Sequence, residues 1–253
     1  MPASIPPPLA RRMLAEFLGT ALLVTAVIGS GIMASVLSPA DAGLQLLQNA
    51  AATAAALIAL ILALGPVSGA HLNPVVSLVD RVFGGLTSRD AGGYVLAQVA
   101  GGAFGAVLAN LMFSLPAVSV SGQIRSSSGL WLAEVVATFG LLLVIFSVAR
   151  SERSSAAPFA VGAFIGGAYF FTASTSFVNP AVTLARTLSD TFAGIAPSSV
   201  LAFVVAQLAG AGIAVAVIRT LYPDIVDEPP EVVVPSSPRD RGNNRETVIE
   251  ERL

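Results

Sequence analysis

The sequence predicts an all-α membrane protein with six transmembrane helices and two re-entrant half-helices arranged as an inverted repeat. Three observations lead to this prediction: few charged residues, long apolar segments, and two Asn-Pro motifs at matching places in the two halves of the chain. Of the 253 residues, 11% are charged and 55% are hydrophobic, whereas soluble domains average about 25% charged residues. This composition excludes an ordinary soluble enzyme and makes the lipid bilayer the expected partner.

The chain has few side chains that could serve in catalysis or metal binding. The chain has no cysteine, one histidine and one tryptophan, which removes thiolate catalysis, thiolate metal ligation and disulfides. We therefore expect no enzymatic activity, no metal and no cofactor. The net charge of -2 and the lack of a basic stretch also argue against a nucleic-acid partner.

Long stretches without charge define the transmembrane spans. A helix that crosses the bilayer core needs about 20 mostly apolar residues. On this basis we predict six spans: 12–36, 45–66, 91–113, 129–149, 157–173 and 197–220. The charge-free stretches at 42–79 and 154–185 are longer than one crossing requires. Irregular backbone at membrane depth is tolerated only where it lines a cavity or is buried in protein, so the surplus residues should fold back into the protein.

Each overlong stretch contains an Asn-Pro pair followed by apolar residues. The pairs are Asn73-Pro74 and Asn179-Pro180. Asparagine is favoured at a helix N-cap and proline at the first helical position, so each pair should begin a short helix after a non-helical segment. A lone Asn-Pro pair is most often an ordinary turn, but a matched pair within apolar stretches indicates two half-helices.

The two halves of the chain repeat three landmarks in the same order. Ala-Glu occurs at 15–16 and 133–134, the Asn-Pro pairs follow, and Ala-Gln-x-Ala-Gly occurs at 97–101 and 206–210. Since each half has three spans, an odd number, the second half must lie inverted relative to the first. The half-helices then enter from opposite faces and meet near the bilayer midplane.

The arginines predict the orientation of the chain. Most of them fall on the side of the membrane that holds both termini, and only Arg125 and Arg186 fall on the other side. The positive-inside rule then places both termini in the cytoplasm, with the protein in the cell or inner membrane. We divide the chain into a cytoplasmic N-terminus at 1–11, a membrane domain at 12–222 with halves at about 12–115 and 129–222, and a tail at 223–253. The tail is rich in proline and charge and has no apolar periodicity, so we expect it to be disordered and cytoplasmic.

Glycines in both halves should let helices approach closely, as small residues do in membrane proteins. These glycines are Gly101, Gly102 and Gly105 in the first half and Gly210 and Gly212 in the second. We expect them to serve packing rather than chemistry.

The motifs resemble those of the aquaporin and aquaglyceroporin family, also called the major intrinsic proteins. The resemblance depends on Ser-Gly-Ala-His-Leu-Asn-Pro at 68–74, on Asn-Pro-Ala at 179–181 and on the Ala-Glu pair of each half, and it covers about residues 10–222. It implies an aquaporin-like fold, a homotetramer and a passive channel for small neutral solutes. Residues 175–187 resemble a bacterial subgroup that lacks the usual filter arginine and is in part associated with arsenite movement.

The resemblance and helix physics together assign roles to the two motifs. The pore residues of the motifs are Asn73, Pro74, Val75, Asn179, Pro180 and Ala181. Half-helix N-termini that meet at the midplane direct their positive dipole ends and the asparagine amides at the pore. Cations and protons then meet a barrier, while a neutral hydroxylated solute accepts hydrogen bonds. Val75 stands where the family usually has alanine, and we expect it to face packing neighbours.

Two glutamates should support the loops that precede the half-helices, and one histidine should line the pore. Glu16 and Glu134 lie within spans, where a bare carboxylate costs several kcal/mol, and the matching glutamates of the family accept hydrogen bonds from loop N–H groups. For Glu16 the alternative is a side chain that reaches the membrane interface near Arg11 and Arg12. His71 should line the cytoplasmic half of the pore with a ring nitrogen bonded to loop backbone, and both a structural and a gating role stay open.

The selectivity constriction departs from the family pattern. Most members have arginine directly after the second Asn-Pro-Ala, whereas this chain has Val182. By spacing, the constriction also contains Thr53, Ser176 and either Gly167 or Tyr169, since an ambiguity of two residues in loop length leaves both open. Loss of a guanidinium widens the pore and removes a positive charge.

A wide and weakly polar constriction suits neutral solutes larger than water. We therefore expect a passive channel for metalloid hydroxides such as arsenite, for glycerol-class polyols and for water. The alternatives are a water-selective channel and a proton-coupled secondary transporter, which would need Glu16, Glu134 or His71 to titrate. Arg186, one helical turn beyond Val182, is a candidate to replace the missing arginine, but we expect it to cap the short helix or to meet lipid headgroups.

Overall fold

The computed structural model describes residues 7–150 and 154–223. These residues form eight α-helices: α1 (Leu9–Leu37), α2 (Ala42–Ser68), α3 (Pro74–Val82), α4 (Ser88–Met112), α5 (Ser128–Arg150), α6 (Ala157–Phe171), α7 (Pro180–Ala185) and α8 (Pro197–Leu221). Single 3-10 turns at Ser154–Ala156 and Arg186–Leu188 precede α6 and follow α7. The first six residues of the predicted N-terminal segment, and the predicted tail beyond residue 223, lie outside the described residues.

Six of the helices correspond to the predicted spans. α1, α2, α4, α5, α8, and α6 together with the turn before it are long and apolar enough to cross a bilayer. Their ends lie within three residues of the predicted boundaries. α3 and α7 are short, with 9 and 6 residues, and each begins at the proline of an Asn-Pro pair. The predicted fold class, six spanning helices and two half-helices, is therefore confirmed.

Local sequence explains where the long helices begin and end. Asp41 caps α2 by accepting a hydrogen bond from the Leu44 amide at 2.9 Å, and Thr87 caps α4 by accepting one from the Asp90 amide at 3.1 Å. α6 and α8 have proline in their first turn, where the missing N–H would have no helical partner in any case. α2 ends at Ser68 and is followed by Gly69, whose φ of 82° is the left-handed conformation that glycine adopts freely.

The two halves pack in the same way. α1 lies against α4 in the first half, α5 lies against α8 in the second, and α2 contacts α6 across the halves. Gly101 on α4 lies against the Phe17 carbonyl of α1, and Gly210 on α8 lies against the Val135 carbonyl of α5, so a Cβ at either glycine would overlap backbone. Gly212 instead faces open space, so the prediction that it serves helix approach is wrong.

Large apolar side chains lie on the outer surface of the molecule, and several polar side chains are buried inside it. Large apolar side chains such as Leu96 and Leu201 are 71% and 74% exposed on the outer surface, where lipid would cover them. The two intramembrane glutamates, Glu16 and Glu134, are fully buried. Since lipid cannot satisfy polar groups, these two carboxylates need partners within the protein.

Candidate solute pore

The two half-helices are capped by the asparagines of the Asn-Pro pairs. Asn73 Oδ1 accepts a hydrogen bond from the Val75 amide at 3.0 Å. Asn179 Oδ1 accepts hydrogen bonds from the amides of Ala181 at 3.0 Å and Val182 at 3.2 Å. These caps fix the first turn of α3 and of α7, whose N-terminal partial positive charges both lie at the centre of the molecule.

The same two asparagines also join the halves. Asn73 Nδ2 donates to the Val178 carbonyl at 2.8 Å, and Asn179 Nδ2 donates to the Leu72 carbonyl at 2.7 Å. Each amide nitrogen carries two hydrogens, and the described residues provide an acceptor for one of them. The second hydrogen of each amide is therefore available to a solute in the cavity that both side chains line.

The loops before the half-helices have matching, strained backbones. Ala70 and Ser176, each three residues before an asparagine, have φ of 47° and 55°. Leu72 and Val178, each one residue before an asparagine, have φ of 50° and 47°. Residues other than glycine adopt this left-handed region at a cost of about 1–2 kcal/mol each, so both loops need support from their surroundings.

Glu16 supports the first loop. Its carboxylate accepts hydrogen bonds from the amides of His71 at 2.9 Å and Leu72 at 2.7 Å, from Ser68 Oγ at 2.6 Å and from Gln98 Nε2 at 2.8 Å. Hydrogen bonds to an ionised acceptor are about twice as strong as neutral ones. Because the side chain is fully buried, the alternative in which it reaches the membrane interface does not apply.

Glu134 supports the second loop in the same manner. Its carboxylate accepts hydrogen bonds from the amides of Phe177 and Val178, each at 2.9 Å, and from Gln207 Nε2 at 2.6 Å. The side chain is fully buried. A carboxylate in the spanning bundle of each half therefore satisfies loop amides that have no helix partner.

Gln98 and Gln207 extend this support to the half-helices. Gln98 Nε2 also donates to Ser77 Oγ on α3 at 3.0 Å, and Gln207 Nε2 donates to Thr183 Oγ1 on α7 at 3.0 Å. The sequence analysis matched these glutamines as part of the repeat but gave them no role. The signal was present, because a buried polar residue at the same place in both halves needs the same kind of partner.

A cavity lies between the loops, the half-helices and the long helices of both halves. Most of its wall is aliphatic, with side chains such as Leu57, Ile61, Leu141 and Ile145. The polar side chains of the wall are Thr53, His71, Asn73, Tyr169, Ser176, Asn179 and Arg186. An apolar wall with a few polar groups fits solutes that carry both carbon and hydroxyl groups.

The residues expected at the constriction lie in this cavity with one exception. Thr53, Ser176 and Val182 line it, and so does Tyr169, whose hydroxyl lies 3.1 Å from Thr53 Oγ1. Gly167 lies on the exposed face of α6 and is not part of the wall. Of the two residues that spacing left open, the structure therefore brings Tyr169 to Thr53, and the Gly167 alternative is wrong.

His71 lies in the cavity wall on the α3 side. Its Nδ1 is 3.1 Å from Ser77 Oγ, and its Nε2 is 3.9 Å from Asp80 Oδ2. The expected partner was loop backbone, so this detail of the prediction is corrected to a side-chain hydroxyl. Asp80, which the sequence analysis did not consider, is buried on α3. Val75 is fully buried outside the cavity wall, as a packing residue would be.

Arg186 does not lie where the sequence analysis expected it. The side chain is buried, and its Nε donates to the Ala193 carbonyl rather than to a carbonyl of α7. Its guanidinium carbon lies 3.5 Å from the centre of the Phe177 ring. The expectation that it caps the helix or meets headgroups is therefore wrong, because the side chain turns inward and lines the cavity.

Comparison with known proteins identifies a family and similar sequences. The family model described as Major intrinsic protein matches residues 5–176 and 154–248. The chain is 53% identical over 213 residues to "Aquaglyceroporin AqpS" of Rhizobium meliloti (strain 1021), which covers 84% of this chain and 91% of that protein. It is 30% identical over 169 residues to "Glycerol uptake facilitator protein" of Streptococcus pneumoniae (strain ATCC BAA-255 / R6), which covers 60% of this chain and 70% of that protein.

A solved structure shares the fold. The X-ray structure of the aquaglyceroporin from Plasmodium falciparum aligns with a TM-score of 0.65 at 21% sequence identity, and the alignment covers 87% of this chain and 100% of that chain. The paired half-helices, the reciprocal asparagines and the family match lead to one conclusion. The chain belongs to the major intrinsic protein family, and it is a multi-pass membrane channel rather than an enzyme.

Proposed function

We propose that this protein is a passive channel for glycerol-class polyols and metalloid hydroxides such as arsenite, as well as water. The observation that carries the proposal is Val182, which lines the cavity at the position directly after the second Asn-Pro-Ala. The family usually has arginine there. Valine leaves more width and an apolar wall where a guanidinium would hold donors and a charge.

The chemistry of the wall supports solutes that are both apolar and hydroxylated. The carbon chain of a polyol fits beside aliphatic side chains such as Leu57 and Ile61, while Asn73 and Asn179 offer amide hydrogens to its hydroxyl groups. The chain has no cysteine, so the pore holds no thiolate that would capture a trivalent arsenic or antimony hydroxide. The similarity to proteins named aquaglyceroporin and glycerol uptake facilitator supports the same solute class.

Within this proposal the predicted site residues other than Gly167 and Val75 have the following roles. Thr53, Tyr169, Ser176 and Val182 form the selectivity constriction. The two Asn-Pro motifs form the central barrier to cations, His71 lines the α3 half, and the two buried glutamates hold the loops in place.

The proposal extends to assembly and orientation. A homotetramer in the cell membrane with both termini in the cytoplasm fits the family resemblance and the arginine distribution. Chemical cross-linking in native membranes should give a four-subunit ladder. A protease added outside intact cells should spare an epitope tag at either terminus, and cleavage of the tag would contradict the orientation.

The proposed solute class is tested by solute flux into liposomes that contain the purified full chain. Stopped-flow swelling should show glycerol entry that does not saturate and does not depend on a proton gradient, and arsenite uptake should behave in the same way. Val182→Arg should lower both fluxes by about tenfold or more, because the guanidinium refills the constriction. Val75→Ala is the matched control, since Val75 is buried outside the cavity wall and should leave both fluxes unchanged.

The same measurements distinguish the alternatives. Water flux without glycerol flux would indicate a water-selective channel. Saturable uptake that follows a proton gradient would indicate a secondary transporter and overturn the proposal. Unchanged glycerol and arsenite flux in Val182→Arg would show that Val182 does not lie at the constriction.

A further inference from the structure

Arg186 is a buried cation in the wall of the cavity. It directly follows α7, seven residues after Asn179, and its side chain is 2% exposed. Seven residues of helix rise about 10 Å, so the residue lies well away from the centre, towards the mouth on the α7 side. It shares the cavity wall with Val182, Ser176 and Tyr169.

The guanidinium is held rigidly. Its Nε donates to the Ala193 carbonyl, and its guanidinium carbon lies over the Phe177 ring, 3.5 Å from the ring centre. Phe177 is itself fixed, because its amide donates to Glu134 Oε1 at 2.9 Å and its ring packs edge-to-face on Phe203 at 5.2 Å. Stacking on an aromatic face retains the positive charge while it orients the donors.

The charge of Arg186 has no counter-ion in residues 7–150 and 154–223. No carboxylate oxygen of this part lies within 4.0 Å of the guanidinium, and the two terminal nitrogens find no acceptor there. Asp190, the nearest acid in the sequence, accepts a hydrogen bond from the Gly122 amide at 3.0 Å instead. Burial of a guanidinium without a carboxylate partner lowers the free energy of unfolding. Here its unpaired N–H donors are available to the cavity.

The repeat shows that this cation is specific to one mouth. The position seven residues after the first asparagine, Asn73, is Asp80, which is buried near His71. The two equivalent positions therefore carry opposite charges. Inverted symmetry alone would have placed the same kind of side chain at both, so the positive charge marks the α7 mouth.

We propose that Arg186 supplies the fixed positive charge of the constriction from one helical turn beyond Val182. Four residues of helix place it about 6 Å from the position where the family usually has arginine. In this arrangement the charge repels cations and the terminal nitrogens donate to solute hydroxyls, while the space beside Val182 stays open to larger neutral solutes. The inference rests on the proposed channel function, and it adds a barrier to cations at the α7 mouth to the central barrier at the Asn-Pro motifs.

The test compares two probes of nearly the same size and shape that differ in charge. Urea is neutral, and guanidinium ion is a permanent cation. Tracer uptake of each into liposomes containing the full chain gives the ratio of guanidinium to urea permeability. The wild-type protein should pass urea and exclude guanidinium, and Arg186→Gln should raise the ratio by about tenfold or more, because the charge is lost while an amide donor stays.

Two further variants separate charge from structure. Arg186→Lys retains the charge and loses the planar stack, so its ratio should stay within about twofold of wild type. Arg125→Gln is the matched control: this arginine also lies over Phe177, at 5.2 Å, but is not in the cavity wall, so its ratio should change much less than that of Arg186→Gln.

The permeability ratio of Arg186→Gln decides whether the charge of Arg186 excludes cations. A ratio in Arg186→Gln within twofold of wild type, with urea flux retained, overturns the inference. If Arg186→Gln does not assemble, Arg186→Lys decides: exclusion of guanidinium supports the charge role, and failure to assemble or leakage shows a purely structural role. Wild-type liposomes that pass neither urea nor glycerol would overturn the proposed channel function itself.

Discussion

Asn73 and Asn179 each cap their own half-helix and hold the loop of the other half. The Nδ2 atom of Asn73 donates to the Val178 carbonyl at 2.8 Å, and that of Asn179 donates to the Leu72 carbonyl at 2.7 Å. Their Oδ1 atoms meanwhile accept hydrogen bonds from the first turns of α3 and α7. One side-chain type thus performs two tasks in each half, and the two halves depend on each other at the centre of the pore.

This relationship predicts coupling between the two asparagines. Replacement of either by alanine removes a cap and a hydrogen bond between the halves, so each variant should lose about 2–3 kcal/mol of unfolding free energy. Asn179→Ala should lose more than Asn73→Ala, because Asn179 Oδ1 accepts from two amides and Asn73 Oδ1 from one. Denaturant unfolding in detergent of both variants and the double variant measures the coupling.

The double variant should be more stable than the sum of the single losses implies, by about 0.5 kcal/mol or more. Once one asparagine is gone, the loop that the other one holds has already loosened. Losses that add within the error of the measurement would show that the two hydrogen bonds act independently.

The sequence was sufficient to predict those parts of the molecule that follow from length and local chemistry. The spans follow from stretches without charge, because lipid leaves no other place for so many apolar residues. The half-helices follow from the Asn-Pro pairs, since the N-cap and first-turn preferences act within a few residues. The pairing of Glu16 with loop amides was expected because an intramembrane carboxylate must find donors.

The parts that the sequence did not predict depend on side-chain direction across the fold. The choice between Gly167 and Tyr169 needed the rotational phase of α6, which the loop length left ambiguous. Arg186 was expected to cap the short helix or to meet lipid headgroups, but the ring of Phe177 provides an inward site that the sequence does not reveal. Repeat matching identified Gln98, but its bond to Glu16 required the three-dimensional contact.

The support of the second loop predicts a large effect of Glu134→Gln. Glutamine has the same shape as glutamate. In the wild type both carboxylate oxygens accept hydrogen bonds from loop amides, and in the variant the side-chain NH₂ group would face one of these N–H donors. We expect a loss of about 3 kcal/mol, since hydrogen bonds to charged groups contribute about 1.5–3 kcal/mol and an unpaired buried N–H adds a further cost. The midpoint temperature of unfolding in detergent and the solute flux into liposomes should both fall.

The control for that variant lies one turn away on the same helix. Thr138 is fully buried, and its hydroxyl makes no hydrogen bond within the described part of the chain. Thr138→Val retains the shape and removes that hydroxyl, so stability should stay the same or rise slightly. If Thr138→Val is as damaging as Glu134→Gln, the loss reflects general sensitivity of α5 rather than the loop contact.

Helix approach in the first half predicts that Gly101 tolerates no side chain. A Cβ there would overlap the Phe17 carbonyl of α1, which is backbone and cannot rotate away. Gly101→Ala should therefore cost about 3 kcal/mol or more, or prevent assembly, as judged by size-exclusion elution and unfolding in detergent. Gly212→Ala, at a helical site with nothing within 4 Å, should be neutral or stabilising by up to about 1 kcal/mol. Equal tolerance at both sites would contradict the close approach of α1 and α4.

The contact between Thr53 and Tyr169 predicts which residue of α6 affects selectivity. Tyr169→Phe removes the hydroxyl that lies 3.1 Å from Thr53 Oγ1, so the constriction becomes wider and less polar. Water depends on polar partners throughout its passage, whereas a polyol also gains from apolar walls. The ratio of glycerol to water permeability should thus rise by about threefold in stopped-flow measurements on liposomes.

Gly167→Ala is the matched variant, because Gly167 lies two residues earlier on the exposed face of the same helix. Its added methyl group would meet the ring of Phe171 at 3.8 Å, an ordinary contact, and would not reach the cavity. The permeability ratio of this variant should equal that of the wild type. The opposite pattern, a changed ratio in Gly167→Ala and an unchanged ratio in Tyr169→Phe, would mean that α6 presents its other face to the solute. The assignment of the constriction would then move from Tyr169 to Gly167.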